Sequence, residues 1–170
     1  MKIIACIDRM GGLGYRGELL FHIRKDMERF RSLTTGGIVV MGYNTYRSLP
    51  HGALPDRTNI VLSKHHSIED EDVAVCRTKE ELKQILASQQ EDVWIIGGES
   101  LYKEFLPECE EIYLTRVDAL KKSDRFFPCP EMVGGWGLVS KGTYSEDGLD
   151  FTFERYRNDR LVCQSEKVNV

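Results

Sequence analysis

Closely spaced cysteine pairs are missing from this chain. Its five cysteines, Cys6, Cys76, Cys109, Cys129 and Cys163, are odd in number and nowhere stand at C-x2-C spacing. That argues against a disulfide framework and against a zinc site, and it favours a reducing cytoplasm. Long apolar runs are missing too: nothing approaches the roughly 18 residues a membrane span needs. The N-terminus reaches Asp8 too soon to hold the core of a signal peptide. There is no basic excess, since 23 Lys and Arg face 27 Asp and Glu, for a net charge of -4. A nucleic-acid footprint is therefore not expected, although a local basic pocket for an anionic ligand stays open. Internal repeats and low-complexity segments are absent, as is any phosphate loop ending in Gly-Lys-Ser/Thr. With 170 residues the chain is long enough for one domain with a sizeable core. A monomer without metal is expected.

What is present is an alternation of apolar runs and amphipathic stretches. Ile3 to Ile7, Ile38 to Met41, Thr58 to Leu62, Val73 to Cys76, Val93 to Ile96 and Ile112 to Thr115 read as short buried strands. Helices are expected from about Arg24 to Leu33, from Tyr43 to Pro50, after the Thr78-Lys79-Glu80-Glu81 capping box, and from Glu99 to Leu106. Asp147-Gly148 between Gly137–Tyr144 and Leu149–Tyr156 is a strong hairpin signal. Strands alternating with helices, then a hairpin, imply an α/β fold with a mostly parallel central sheet, an antiparallel edge and helices on both faces. Ligands should collect at the carboxyl ends of the strands. The Gly11–Gly17 loop, Gly42, Ser63, Arg77 and Gly97-Gly98 all fall there. Residues 158–170 read as a polar, frayed tail.

The stretch Gly14 to Phe30 organises the rest. Four glycines between Gly11 and Gly17 make a mobile loop and a natural lid. The apolar triplet Leu19-Leu20-Phe21 follows, then a helix with Ile23, Met27 and Phe30 on one face. Asp26 lies in the first turn beside that stripe. Burial would raise its pKa and make it a proton donor near neutral pH. An acid there equally serves to complement the helix dipole in water.

Taken together, these residues resemble the dihydrofolate reductase family over about residues 1 to 157. The matching pieces are Ala5 through Asp8-Arg9, Gly14, Asp26 with Phe30, Met41-Gly42-x-x-Thr45-x-x-Ser48, and Leu54-Pro55-x-Arg57-x-Asn59-Ile60-Val61-Leu62-Ser63. They continue with Ile95-Ile96-Gly97-Gly98, Tyr102, Tyr113-Leu114-Thr115, and Asp124 with Phe127-Pro128. The resemblance implies NADPH-dependent reduction of 7,8-dihydrofolate to tetrahydrofolate. It makes Asp26 the carboxyl that holds the pterin and supports protonation at N5, oriented by Thr115. Backbone carbonyls near Ala5 and Ile96 would line the pterin pocket, Phe21, Met27, Phe30 and Leu49 would wall the pterin and aminobenzoyl rings, and Arg57 would clamp the glutamate α-carboxylate. Cofactor contacts are implied for Cys6, Gly14, Gly42, Tyr43, Asn44, Thr45, Ile96, Gly97, Gly98, Glu99, Ser100, Leu101 and Tyr102. Ser63, Lys64 and Arg77 would sit near the adenosine 2'-phosphate.

Three positions depart from the family. Leu19-Leu20-Phe21 stands where Leu-Pro-Trp is usual, which should alter the hydrogen bonding around Asp26. Tyr43 replaces a frequent Arg, leaving Lys64 and Arg77 to favour NADPH. Ala5 is smaller than is usual beside the pterin. The pyrimidine reductase of riboflavin biosynthesis shares the fold and cofactor. It has no need of Asp26, Arg57 and Thr115, and neither does a non-catalytic nucleotide-binding module.

Overall fold

A computed structural model describes residues 1–161. Eleven strands run in chain order. They are β1 (Lys2–Ile7), β2 (Gly12–Tyr15), β3 (Glu18–Leu19), β4 (Ile38–Gly42), β5 (Thr58–Leu62) and β6 (Val73–Cys76), then β7 (Val93–Gly97), β8 (Glu111–Val117), β9 (Arg125–Phe126), β10 (Trp136–Glu146) and β11 (Leu149–Asn158). The helices are α1 (Arg24–Thr34), α2 (Tyr43–Ser48), α3 (Lys79–Leu86), α4 (Glu99–Phe105) and α5 (Pro130–Val133). Eight strands form one sheet in the order β10-β11-β8-β1-β7-β4-β5-β6. β8 through β6 are parallel, and β11 and β10 close one edge antiparallel.

The parallel strands are apolar without obvious alternation because both their faces are covered. Ile3, Ala5, Ile7, Ile38, Val40 and Ile95 point to one core, with Leu82 of α3 and Leu101, Tyr102 and Phe105 of α4. Their neighbours Ile4, Val39, Met41 and Trp94 point the other way, toward Phe30 and Leu33 of α1 and Tyr43 and Tyr46 of α2. α3 begins with one half of the capping box, while the return bond of Glu81 reaches the N–H of Arg77 and not that of the N-cap Thr78. The Thr78 hydroxyl accepts from the Glu81 N–H at 3.1 Å, and Glu81 Oε2 accepts from the Arg77 N–H at 2.6 Å.

Two stretches are more ordered than their sequence suggests. The glycine-rich segment after β1 is a small hairpin, β2–β3, whose turn places Arg16 and Gly17 at φ 53° and 88°. It is widened to three strands by β9. Asn158 is not frayed. It closes β11, is buried, and donates to the Cys109 carbonyl at 2.9 Å. The expected tail beyond residue 161 lies outside the described residues. None of the described helices is long and apolar enough to cross a membrane.

Candidate active site

Asp26 leaves the first turn of α1 toward the sheet. Its Oδ1 accepts a 2.5 Å hydrogen bond from the hydroxyl of Thr115, which is buried on β8. Parallel pairing sets Cys6 of β1 directly beside Thr115, so both side chains share the α1 face. Burial pushes the Asp26 carboxyl above its ordinary range. The Thr115 hydroxyl, the Arg29 guanidinium and the Cys6 thiol pull the other way without reversing the shift. Burial, then the negative Asp26, push the Cys6 thiol well up in turn, so it is an uncharged group here.

The apolar wall comes from both sides of this acid. Phe30, Leu49 and Ile96 pack about Ile4 and Met41, while Phe21 and Ile23 are buried with Val117 and Phe151. Met27 shares the helix face but stays exposed, so the core does not hold it. Ala5 does not belong to this wall. Strand residues alternate in direction, and its methyl lies in the core on the α3 and α4 side of the sheet. Cys6 and Ile4 face the acid's side instead. The Ile4 carbonyl accepts from the buried Tyr102 hydroxyl at 2.8 Å.

Arg57 follows a turn in which Asp56 takes φ 60°. Its guanidinium is fixed by bonds to the Pro55 carbonyl at 2.8 Å and the Thr34 hydroxyl at 3.1 Å, beside the Phe30 ring. That fixes a cation next to the apolar wall.

The lid hairpin is tied at both ends. Buried Asp8 accepts from the N–H groups of Met10 and Gly12 at 2.8 and 2.7 Å, and from Lys121 N–H at 3.3 Å. Gly12 is required there, since a Cβ would meet Ser123 Oγ at 2.2 Å. Asp124 donates its N–H to the Gly14 carbonyl, and its Oδ2 accepts from Arg16 N–H, each at 3.0 Å. Where the family's Pro-Trp is missing, Lys121 takes hold. Its Nζ donates to the Leu20 carbonyl at 2.5 Å and lies 4.6 Å from the centre of the Phe21 ring.

Across the same sheet edge, α2 and α4 both begin at glycines that offer no side-chain cap, Gly42 and Gly98. Their first N–H groups therefore have no local side-chain acceptor. The two starts touch: a Cβ on Gly98 would come within 3.4 Å of Thr45 Oγ1, and one on Gly42 would reach Gly98 N at 3.8 Å. Such close, bare helix starts fit a pyrophosphate. The peptide between Gly97 and Gly98 is cis. Asn44 and Ser100 are exposed near these starts, Glu99 is paired with Lys103 at 2.5 Å, and Leu101 is buried.

At the end of β5, Ser63 differs from expectation. Its hydroxyl is buried and engaged with both the carbonyl and the N–H of His66, each at 3.1 Å, so it shapes the turn instead of offering a donor. Arg77 fastens the same turn through the Ser63 and His66 carbonyls, at 2.9 and 2.7 Å. Lys64 is exposed beside it, and the Tyr43 and His66 rings stack at 4.0 Å.

Arg29 and Glu146 escaped the sequence reading. Arg29 stands three residues after Asp26 and so shares its face, a signal that was available. Glu146 caps α1 from a distant hairpin, and no local pattern announces that.

A half-buried acid beside an apolar wall, a glycine-rich hairpin and bare helix starts at the strand carboxyl ends suit an α/β enzyme that acts on a small molecule. The comparisons give the particular kind. A family model for dihydrofolate reductase matches residues 1–158, and the chain belongs to that family. A dihydrofolate reductase of Staphylococcus aureus is 29% identical over 140 residues, covering 82% of this chain and 84% of that protein. One from Aedes albopictus is 29% identical over 179 residues, covering 91% and 95%. A bifunctional dihydrofolate reductase-thymidylate synthase of Paramecium tetraurelia is 32% identical over 159 residues; 91% of this chain is covered, which spans only 34% of that protein. Among solved structures, a dihydrofolate reductase from Enterococcus faecalis complexed with NADP(H) and RAB-propyl matches with a TM-score of 0.83 and 28% identity. That match covers 93% of this chain and 95% of the other.

Proposed function

We infer that Asp26 is the acid of the reaction this family carries out, the NADPH-dependent reduction of 7,8-dihydrofolate to 5,6,7,8-tetrahydrofolate. The observation that carries this reading is the 2.5 Å pair between Thr115 and Asp26 in an apolar wall. Bound NADPH supplies the hydride that goes to C6 of the substrate. The chain's own part is to place two flat rings face to face and to deliver a proton to N5. Asp26 holds that proton because burial keeps its carboxyl neutral further up the pH scale than a solvated acid. The proton reaches N5 directly or through a water admitted past the lid.

Thr115 holds one oxygen of the acid and binds the pterin 2-amino side. Phe21, Met27, Phe30, Leu49 and Ile96 exclude water from the rings, and Cys6 lies where they meet the cofactor. Arg57, already aligned by Thr34 and Pro55, forks onto the substrate α-carboxylate. The helix starts at Gly42 and Gly98, with Thr45 between them, bind the pyrophosphate. Lys64 and Arg77 attract the 2'-phosphate. Residues 1–157 suffice as the catalytic unit, and one chain supplies every site residue, consistent with a monomer working in the cytoplasm.

The test is the fall in NADPH absorbance on mixing with dihydrofolate, across pH, for wild type and Asp26→Asn. Loss of turnover in the variant at neutral pH with partial return at low pH, where the substrate arrives protonated, is expected. Full neutral activity in the variant would remove the acid from the mechanism.

A further inference from the structure

One charged group touches the acid's partner and has no place in the mechanism above. Arg29 lies on α1 one turn beyond Asp26. Its Nη1 donates to the Thr115 hydroxyl oxygen at 3.3 Å and to the Leu114 carbonyl at 3.5 Å. Its guanidinium sits 4.3 Å from the centre of the Phe153 ring on β11 and 5.7 Å from that of Tyr113 on β8. The side chain is thus seated against the hairpin edge, not swinging in solvent.

A guanidinium only donates. An N–H aimed at Thr115 Oγ1 therefore makes that oxygen an acceptor on one side, and the hydroxyl's single proton points to Asp26 Oδ1. We propose that Arg29 is a positioning residue for the reduction: by donating to Thr115 it fixes that hydroxyl as a donor to Asp26, and it seats a positive charge next to that pair. When the acid is neutral, its proton is directed to the oxygen Thr115 does not bond. The proposal rests on the assignment of Asp26 as the acid.

The surroundings leave Arg29 as the cation beside the acid. Facing Asp26 are Cys6 from β1 and Thr115 from β8, both uncharged, with the buried Tyr102 of α4 beyond. Facing Arg29 are Asp26 on its own helix, Tyr113 from β8 and Tyr144 from β10. Arg155 lies over the Tyr113 ring and is paired with Glu111. The charge works against the effect of burial, since it favours the carboxylate. Removing it should let Asp26 hold its proton to higher pH.

Arg29→Met keeps the length and apolar stem and removes the charge. Arg29→Lys keeps the charge and loses the fork. Each is read by two titrations: the pH profile of hydride transfer, and the carbon-13 NMR shift of the Asp26 carboxyl in ligand-free protein, assigned by its absence in Asp26→Asn. The expected result is a midpoint about half to one unit higher in Arg29→Met, so the rate well above the midpoint, taken relative to each protein's own low-pH plateau, gains about three- to tenfold. The plateau at low pH should fall as Thr115 loses its orientation. Arg29→Lys should return the midpoint close to wild type. A folded Arg29→Met with both midpoints unmoved overturns the proposal, as does Arg29→Lys shifted as far as Arg29→Met. Should Arg29→Met not fold, Arg29→Gln is read by the same criteria. If Asp26→Asn itself keeps neutral activity, the acid assignment has failed; the NMR midpoint then still decides whether Arg29 governs that carboxyl.

Discussion

Glu146 Oε1 accepts a 2.6 Å hydrogen bond from the backbone N–H of Arg24, the first residue of α1, and its Oε2 accepts from Lys25 N–H at 3.2 Å. The residue before α1 is Ile23, which has no side-chain acceptor to cap the helix. A carboxylate on the far hairpin does so instead, and it also suits the positive end of the helix dipole. Asp26 lies two residues further on. The C-terminal hairpin therefore sets the start of the helix that carries the acid.

Replacing Glu146 by Ala leaves two N–H groups without a protein acceptor. We expect a stability loss of about 1 kcal/mol, measured by thermal or urea unfolding. Turnover should fall by about two- to fivefold with a smaller change in KM, because the first turn loosens around Asp26. Glu146→Gln keeps one acceptor oxygen and loses the other and the charge, so it should recover only part of the stability and turnover. Equal stability in Glu146→Ala and wild type would remove the cap from the account.

Asp26→Asn carries a stability consequence with a definite sign. The folded-state pKa of Asp26 is raised, chiefly by burial. Its contribution to stability is therefore fully present below the unfolded-state pKa and is lost as pH rises through the folded-state pKa. At alkaline pH the protein must hold a buried carboxylate, and the amide avoids that cost. The variant should melt about 2–4 °C higher than wild type at pH 8, with the gain shrinking toward pH 4, while turnover at pH 7 falls at least about 100-fold. A variant less stable than wild type at pH 8 would contradict the burial argument.

The lid hairpin and the β9 segment meet at Asp124, through Gly14 and Arg16. Asp124→Ala keeps the backbone bond and removes the side-chain acceptor, a loss of about 1 kcal/mol in closing the lid. NADPH release, followed by stopped-flow fluorescence, should quicken about fivefold. Unchanged release with unchanged turnover would mean the Arg16 contact does not govern closure.

We expect Lys64 and Arg77 to favour NADPH over NADH. With the Ser63 hydroxyl engaged in the turn and Tyr43 in place of an Arg, they are the nearby cations of the Ser63–His66 turn. Because Arg77 also fastens the turn, both cofactors can lose affinity in the double Ala variant, and the expected result is the ratio: kcat/KM for NADPH over NADH should fall about tenfold or more. A ratio equal to wild type would move 2'-phosphate recognition elsewhere.

The parallel strands were legible because each is an apolar run bounded by glycine or polar residues, and the Asp147-Gly148 turn announced its hairpin. The half-buried setting of Asp26 was legible through its place beside an apolar stripe. The side of the sheet that Ala5 faces was not: a strand buried on both faces carries no polar residue to mark which is which. The lid hairpin was hidden for a similar reason. Its turn, Arg16-Gly17, lacks the usual Asn or Asp, and its partner β9 has only two residues. Ser63 and Glu146 were out of reach because their bonds depend on where distant loops return.

Phe21 tests the family's missing Trp. Its ring is buried and lies under the Lys121 ammonium, so a larger aromatic keeps the cation–π contact while adding an indole N–H. An N–H that orders a water toward Asp26 favours the carboxylate and lowers its pKa. In Phe21→Trp the alkaline fall in rate should therefore begin at lower pH than in wild type, with turnover retained at the plateau. The fit is tight, and overpacking should cost about 1–3 kcal/mol in stability, measured by thermal unfolding. An identical pH-rate profile in a folded variant would show that this position does not reach the hydrogen bonds of the acid. The altered network around Asp26 would then have to arise from Cys6, Thr115 and Arg29 alone.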